Sequence, residues 1–171
     1  MGIQDGASNL SLAKEAWLYL VSIWNWITIL GRSWAVSWRI GENLGRKLLI
    51  YSPIDPVDSM EAEIKVLRSS RNFIVPDPIR DFKSLDQKDI DEAGVIIIGY
   101  AGDKSHFGEV VKLAASKDKP LIIYTFRLSN PVSKDHLANL ANYKWHSLAS
   151  MPLRLVSDIF SILMTFKYDG K

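Results

Sequence analysis

Between residues 99 and 109 the chain gathers an acid, a hydroxyl, an imidazole and a second acid: Asp103, Ser105, His106 and Glu109. Groups of these types can move protons, and a carboxylate can attack or steady an electron-poor carbon. The backbone around them carries Gly99, Gly102 and Gly108, which suits a loop running up to a helix. Glu109 falls in the first turn of that helix, where an acid also complements the helix dipole with no chemical role at all. Free N–H groups at the same helix start offer a place for an anion.

The flanking segments supply the frame. Val95 to Ile98 and Leu121 to Tyr124 are continuous apolar, mostly β-branched runs, as strands are when both faces of a parallel sheet are covered. Between them Phe107, Val110, Val111 and Ala114 recur at i, i+3, i+4 and i+7, the pattern of a helix with one buried face. Strand, loop, helix and strand make one right-handed βαβ unit. Ligands of open parallel sheets bind outside the carboxyl ends of the strands, so the loop of 99–108 lies where a site belongs.

Composition narrows the class. At 171 residues, 47% apolar and 23% charged, the chain is ordinary globular material for one core with a short appendage. The net charge of +2 arises from mixed signs with no basic block, which argues against a nucleic-acid partner. No cysteine is present, which removes disulfides and thiol chemistry and suits a reducing, cytoplasmic compartment. His106, His136 and His146 lack metal-ligand spacing, and no Gly-x-Gly-x-x-Gly or Walker A sequence occurs. Neither a metal nor a cofactor is expected.

The remaining elements follow in order. Residues 1–46 form an extension that holds Trp17, Trp24, Trp26, Trp34 and Trp38, and most of these share one side of a helical projection with Leu20, Ile23, Ile27 and Leu30. The stretch Ala16 to Leu30, at about 15 residues broken by Ser22, Asn25 and Thr28, is short for a membrane span. The stripe could pack on the domain, join another subunit or lie in a membrane interface, the last making the chain membrane-associated. The expectation is a homo-oligomer in which Trp17, Trp24, Trp34 and Trp38 meet the same segment or the α/β domain of a second subunit. Gly41 to Gly45 reads as a connector, and residues 47–171 as the main domain.

Within that domain Lys47 to Tyr51 is the first strand and Ser52 to Pro56 a loop. A helix capped by Asp58 or Ser59 follows over Met60 to Ser70, then a strand over Phe73 to Val75 and loop over Ile79 to Lys83. Leu85 to Glu92 is a short helix bearing Asp86, Asp89 and Asp91, acids that a solvated face explains. After the central unit come a loop over Arg127 to Pro131, a helix over His136 to Ala141, a fifth strand over Tyr143 to His146 and a closing helix over Leu153 to Phe166. The expected architecture is α/β, a flavodoxin-like or Rossmann-like five-stranded parallel sheet in order 2-1-3-4-5 behind a Trp-rich amphipathic helical extension.

Residues 47–166 resemble the nucleoside 2-deoxyribosyltransferase-like superfamily, which includes the 2′-deoxynucleoside 5′-phosphate N-hydrolases. The resemblance is carried by Lys47-Leu-Leu-Ile-Tyr-Ser-Pro53, by Asp86 seven residues before Ala93, by Asp103 six before Glu109, and by Asp118-Lys-Pro120, with Arg127, Ser133 and Trp145 following. Leu49, Ser52 and Gly94 stand where the family has tyrosine, glycine and aspartate, and Tyr51, on the same strand face as Leu49, could take the tyrosine's place.

The resemblance implies cleavage or transfer at the N-glycosidic bond of a nucleoside or nucleotide. Glu109 would attack or stabilise the anomeric carbon, Asp103 and Asp86 would hold base and sugar or supply the proton, and Tyr51, Ser52, Ser105 and Ser133 would bind substrate. The same strand and glutamate are similar to TIR-like domains, which implies NAD cleavage or signalling instead. A third expectation is a binding or assembly module that keeps the fold without turnover.

Overall fold

The computed structural model describes residues 4–52, 60–102, 105–126, 131–141 and 143–168, the side chains of 4–20, 35 and 39 excepted. The expected caps Asp58 and Ser59, the loop of 53–56, Asp103 and Arg127 lie outside the described residues. Among the described residues ten regular elements occur in order: α1 (Gln4–Leu44), β1 (Lys47–Tyr51), α2 (Glu61–Ser69), α3 (Gln87–Glu92), β2 (Ala93–Gly99), α4 (Phe107–Ser116), β3 (Leu121–Tyr124), α5 (Lys134–Leu140), β4 (His146–Ala149) and α6 (Pro152–Thr165). A single 3-10 turn, Phe82–Ser84, precedes α3. The chain divides into two compact units, residues 1–41 and 42–171.

The first unit is most of α1, a helix of 41 residues and so roughly 62 Å long. The helix runs straight through the expected connector at Gly41 and ends at Leu44. Its last turn belongs to the second unit, where Asn43 is buried and Leu44 packs on the core, and this burial outweighs the poor helix propensity of glycine. Among the described residues no helix is long and apolar enough to cross a membrane.

The second unit is a parallel sheet of four strands in the order β1-β2-β3-β4. All seven residues of β2 and all four of β3 are buried, so neither strand has a solvent face. Alternate residues feed two cores. Leu49, Tyr51, Ile96, Ile98, Leu121 and Ile123 point to a face covered by Ile90 of α3, Phe107 and Val111 of α4 and Leu140 of α5. Leu48, Ile50, Val95, Ile97 and Ile122 point to the other, covered by Ile64 and Leu67 of α2 and Leu155, Ile159 and Leu163 of α6.

Two strand expectations are corrected. The five-stranded sheet has four strands, because Phe73 to Val75 forms no strand of its own. Its neighbourhood instead runs along the open edge of β1 by two isolated parallel bridges, Lys47 to Ile74 and Tyr51 to Ile79. Three hydrogen bonds hold that edge: Leu48 N–H to Ile74 O, Ile79 N–H to Ile50 O and Ser52 N–H to Ile79 O, at 2.9, 2.8 and 3.0 Å. Pro76 and Pro78, which have no N–H to donate, break the ladder between them.

The last strand begins at His146 rather than Tyr143. Tyr143 is drawn into the core instead, its hydroxyl donating to the carbonyl of Lys119, and pairing with β3 starts only at Trp145 O, which accepts from Leu121 N–H at 2.9 Å.

In the turn before β3, Asp118 takes φ +46°. Aspartate is among the few side chains that tolerate this left-handed conformation. At the same end of the sheet, Gly94 supports both ends of the unit. Its carbonyl accepts from Tyr168 Oη at 2.8 Å, and the Arg46 guanidinium lies 4.1 Å from the centre of the Tyr168 ring.

A Cβ at Gly94 would sit 2.7 Å from Arg46 Cβ and 3.2 Å from Leu163 Cδ2, so no side chain fits. Gly94→Ala is therefore expected to destabilise the α/β unit by about 1–3 kcal/mol through overpacking. Urea denaturation followed by circular dichroism should show the lowered midpoint, and an unchanged midpoint would mean that Arg46 yields freely.

Candidate functional site

The connections out of β1 and β2 leave in opposite directions. From β1 the chain passes through α2 to the edge segment at 74–79, whereas from β2 it passes through α4 to β3 on the other side. The gap at the carboxyl ends of β1 and β2 is therefore the switch point of the sheet, where open α/β folds leave a crevice. Tyr51 and Ser52 form its β1 side, and the loop from Tyr100 to His106 leads from β2 into α4.

Tyr51 is 1% exposed and is the last residue of β1. Burial raises the pKa of its phenol first, and the charges of Asp81 and Glu109 raise it further. A neutral hydroxyl thus lies within the field of two carboxylates contributed by different segments. Tyr51 shares its sheet face with Leu49, as strand alternation requires.

Glu109 sits in the first turn of α4 with its side chain 61% exposed, and its Oε2 is 2.8 Å from His106 Nδ1. An ionised carboxylate only accepts, so Nδ1 carries the proton in this pair. His106 is the N-cap of α4 with φ +45°, a left-handed conformation that costs strain in a non-glycine residue. That backbone turn aims the imidazole at Glu109 and at the Phe82 ring, which stacks on it at 4.9 Å and 15°. Phe82 in turn meets Tyr51 edge-on at 6.2 Å.

Asp81 and Arg80 complete the surround. Asp81 caps the 3-10 turn, its Oδ1 accepting from Lys83 N–H at 3.0 Å. Arg80 Nη1 donates to Ser52 Oγ at 3.2 Å, and its Nη2 lies 3.7 Å from Glu61 Oε1 at the start of α2. Both residues are brought to β1 by the hydrogen bonds of Ile79, one and two residues before them.

The other anticipated residues have other employment. Ser105 is fully buried and donates to Gly102 O at 2.5 Å, closing the loop. Ser133 caps α5, its Oγ accepting from His136 N–H at 3.3 Å, and its own N–H donates to Tyr100 Oη at 3.0 Å. His136 Nδ1 also meets Tyr100 Oη at 3.0 Å, and its ring stacks on Phe107. Asp86 is the N-cap of α3 and accepts from Lys88 N–H at 3.4 Å. Among the described residues no hydrogen bond or ion pair joins Asp86 to Glu109, and Asp103 lies outside them.

Of the residues anticipated from the sequence, Tyr51, Ser52 and Glu109 border the switch point, whereas Arg80, Asp81 and Phe82 were passed over and His106 was given no role. Asp81 did leave a signal, a capping residue immediately ahead of a turn, but its closeness to Tyr51 depends on the edge pairing of Ile79. Comparison with protein-family models, with curated proteins and with solved structures finds no match.

The tyrosines give a pH signature. Burial raises the phenol pKa of Tyr143 and Tyr168 as well as Tyr51. A group whose folded pKa is raised contributes stability that is intact below its unfolded value, here about 10, and that is lost as pH climbs through the folded value, because only the unfolded chain has released the proton. The unfolding free energy contributed by these three groups should hold steady to about pH 10 and fall above it. A phenolate absorbance titration should find a late-titrating class, from which Tyr51→Phe removes one member. A single class titrating at the free-tyrosine pKa would contradict this.

Proposed function

We propose that the α/β unit cleaves the N-glycosidic bond of a nucleoside or nucleotide, in the manner of the nucleoside 2-deoxyribosyltransferase-like enzymes that its sequence resembles. One observation carries the reading: a chain of contacts, Tyr51 edge-on to Phe82, Phe82 stacked on His106 and His106 bonded to Glu109, joins the carboxyl end of β1 to the first turn of α4 at the switch point of the sheet. Breaking such a bond leaves positive charge on the sugar and negative charge on the departing base. Glu109 is accessible and held by His106, so it serves as the carboxylate at the anomeric carbon. Asp81 is the second carboxylate, bonding the sugar hydroxyls, and the neutral Tyr51 hydroxyl is a donor toward Glu109 or the substrate.

Two departures from the family pattern are compatible with an intact site. Tyr51 shares the face of Leu49, where the family tyrosine would stand. Glycine replaces the family aspartate at Gly94 because Arg46 fills the space of any side chain there. In this reading the edge segment at 74–79 counts as the second strand of a flavodoxin-like 2-1-3-4-5 sheet interrupted by its prolines.

The test is incubation with nucleosides, nucleoside monophosphates and NAD, with released base followed by chromatography. Base release by the wild type is expected from at least one of these. Glu109→Gln should abolish it while the thermal midpoint stays near that of the wild type, since the side chain is largely exposed. Asp81→Asn should cost about a hundredfold or more, whereas Asp86→Asn, which alters only a helix cap, should leave the rate nearly unchanged. No release from any substrate, or a Glu109→Gln protein that retains the rate, would overturn the assignment.

A further inference from the structure

The apolar face of α1 repeats with a period of seven. Trp24, Gly31 and Trp38 are seven apart, and Ile27, Trp34 and Gly41 form a second such series between them. Trp17 and Leu20 hold the preceding positions of the two series in the sequence. These are the a and d places of a helix that packs against another helix. Trp24, Trp34 and Trp38 are 68, 72 and 67% exposed, so the helix itself does not cover the seam. Trp34 and Trp38 are already neighbours on it, with ring centres 6.0 Å apart.

The area suits a second copy. A tryptophan buries about 150–250 Å², so three of them with Ile27 and Leu30 approach the ~800 Å² per partner of a standard interface. A helix lying on a membrane surface carries a basic polar face, yet between residues 21 and 38 Arg32 is the only charged residue.

The glycines decide the direction. A Cβ at Gly31 or Gly41 would meet nothing within 4 Å, so α1 itself does not require glycine at either place, and both weaken it as a helix. Parallel pairing in register would stack Trp24, Trp34 and Trp38 each on its own copy and Gly31 on Gly31, giving crowded layers beside an empty one. Antiparallel pairing can set each glycine against a large residue and leaves no glycine facing glycine. We propose that α1 pairs antiparallel with α1 of a second copy of this chain, with Ile27 seated on the partner's Gly31 and Trp24 beside the partner's Trp34. The contact is isologous, and the same register sets Gly41 opposite position 17.

Sedimentation equilibrium of the full chain without detergent should show a dimer. Gly31→Leu should raise the dimer dissociation constant at least tenfold, even though it improves the helix and has room on it. Because the chain has no cysteine, introduced ones report geometry directly. A mixture of Trp24→Cys and Trp34→Cys chains should form disulfide-linked pairs of unlike copies. Trp38→Cys alone should form none, since antiparallel packing separates the two positions by roughly 27 Å. The proposal is overturned by a monomer in detergent-free buffer, by a Gly31→Leu dimer as tight as the wild type, by self-linking of Trp38→Cys, or by a chain that needs detergent and floats with phosphatidylcholine vesicles.

Discussion

A strand with no solvent face is the constraint on which the α/β unit rests. All seven residues of β2 are buried, and β1 and β3 pair with it on either side in parallel. A parallel neighbour can be reached only by a crossover, and burial on both faces demands that helices cover each of them. Helices α3, α4 and α5 therefore lie on one face and α2 and α6 on the other. The reversal of direction between β1 and β2 follows from this division, and with it the switch point at their carboxyl ends.

The candidate site lies at that switch point. The β1 end contributes a buried tyrosine, the β2 end leads through a tight loop into Glu109, and the edge segment delivers Arg80, Asp81 and Phe82. His106 links the last two contributions, since it bonds Glu109 and stacks on Phe82. Its left-handed backbone is the strained point of the loop, and the buried Ser105 bond to Gly102 steadies the turn just before it. Strain held by surrounding bonds is common where a side chain must be aimed.

Between the two units the physical problem differs. The α/β unit buries two apolar cores within three layers, whereas α1 carries Trp24, Trp34 and Trp38 exposed along a single helix.

The sequence alone determined the elements whose signals are local. The buried runs of β2 and β3 and the i, i+3, i+4, i+7 spacing in α4 are readable because each reflects one residue's own two faces. Glu109 could be placed in a first helical turn for the same reason, and Tyr51 on the face of Leu49. What the tertiary structure decided are the facts that depend on two distant segments meeting. Phe73 to Val75 has strand-forming residues, but prolines further on limit its pairing to bridges at Ile74 and Ile79. Tyr143 looks like a strand residue until its hydroxyl finds the Lys119 carbonyl across the turn to β3. The charge of Asp81 reaches Tyr51 only because Ile79 docks on β1, whereas Asp86, five residues later, is spent as a helix cap. Periodicity records which way a residue faces within its own element, and only the folded chain sets which other residue it will face.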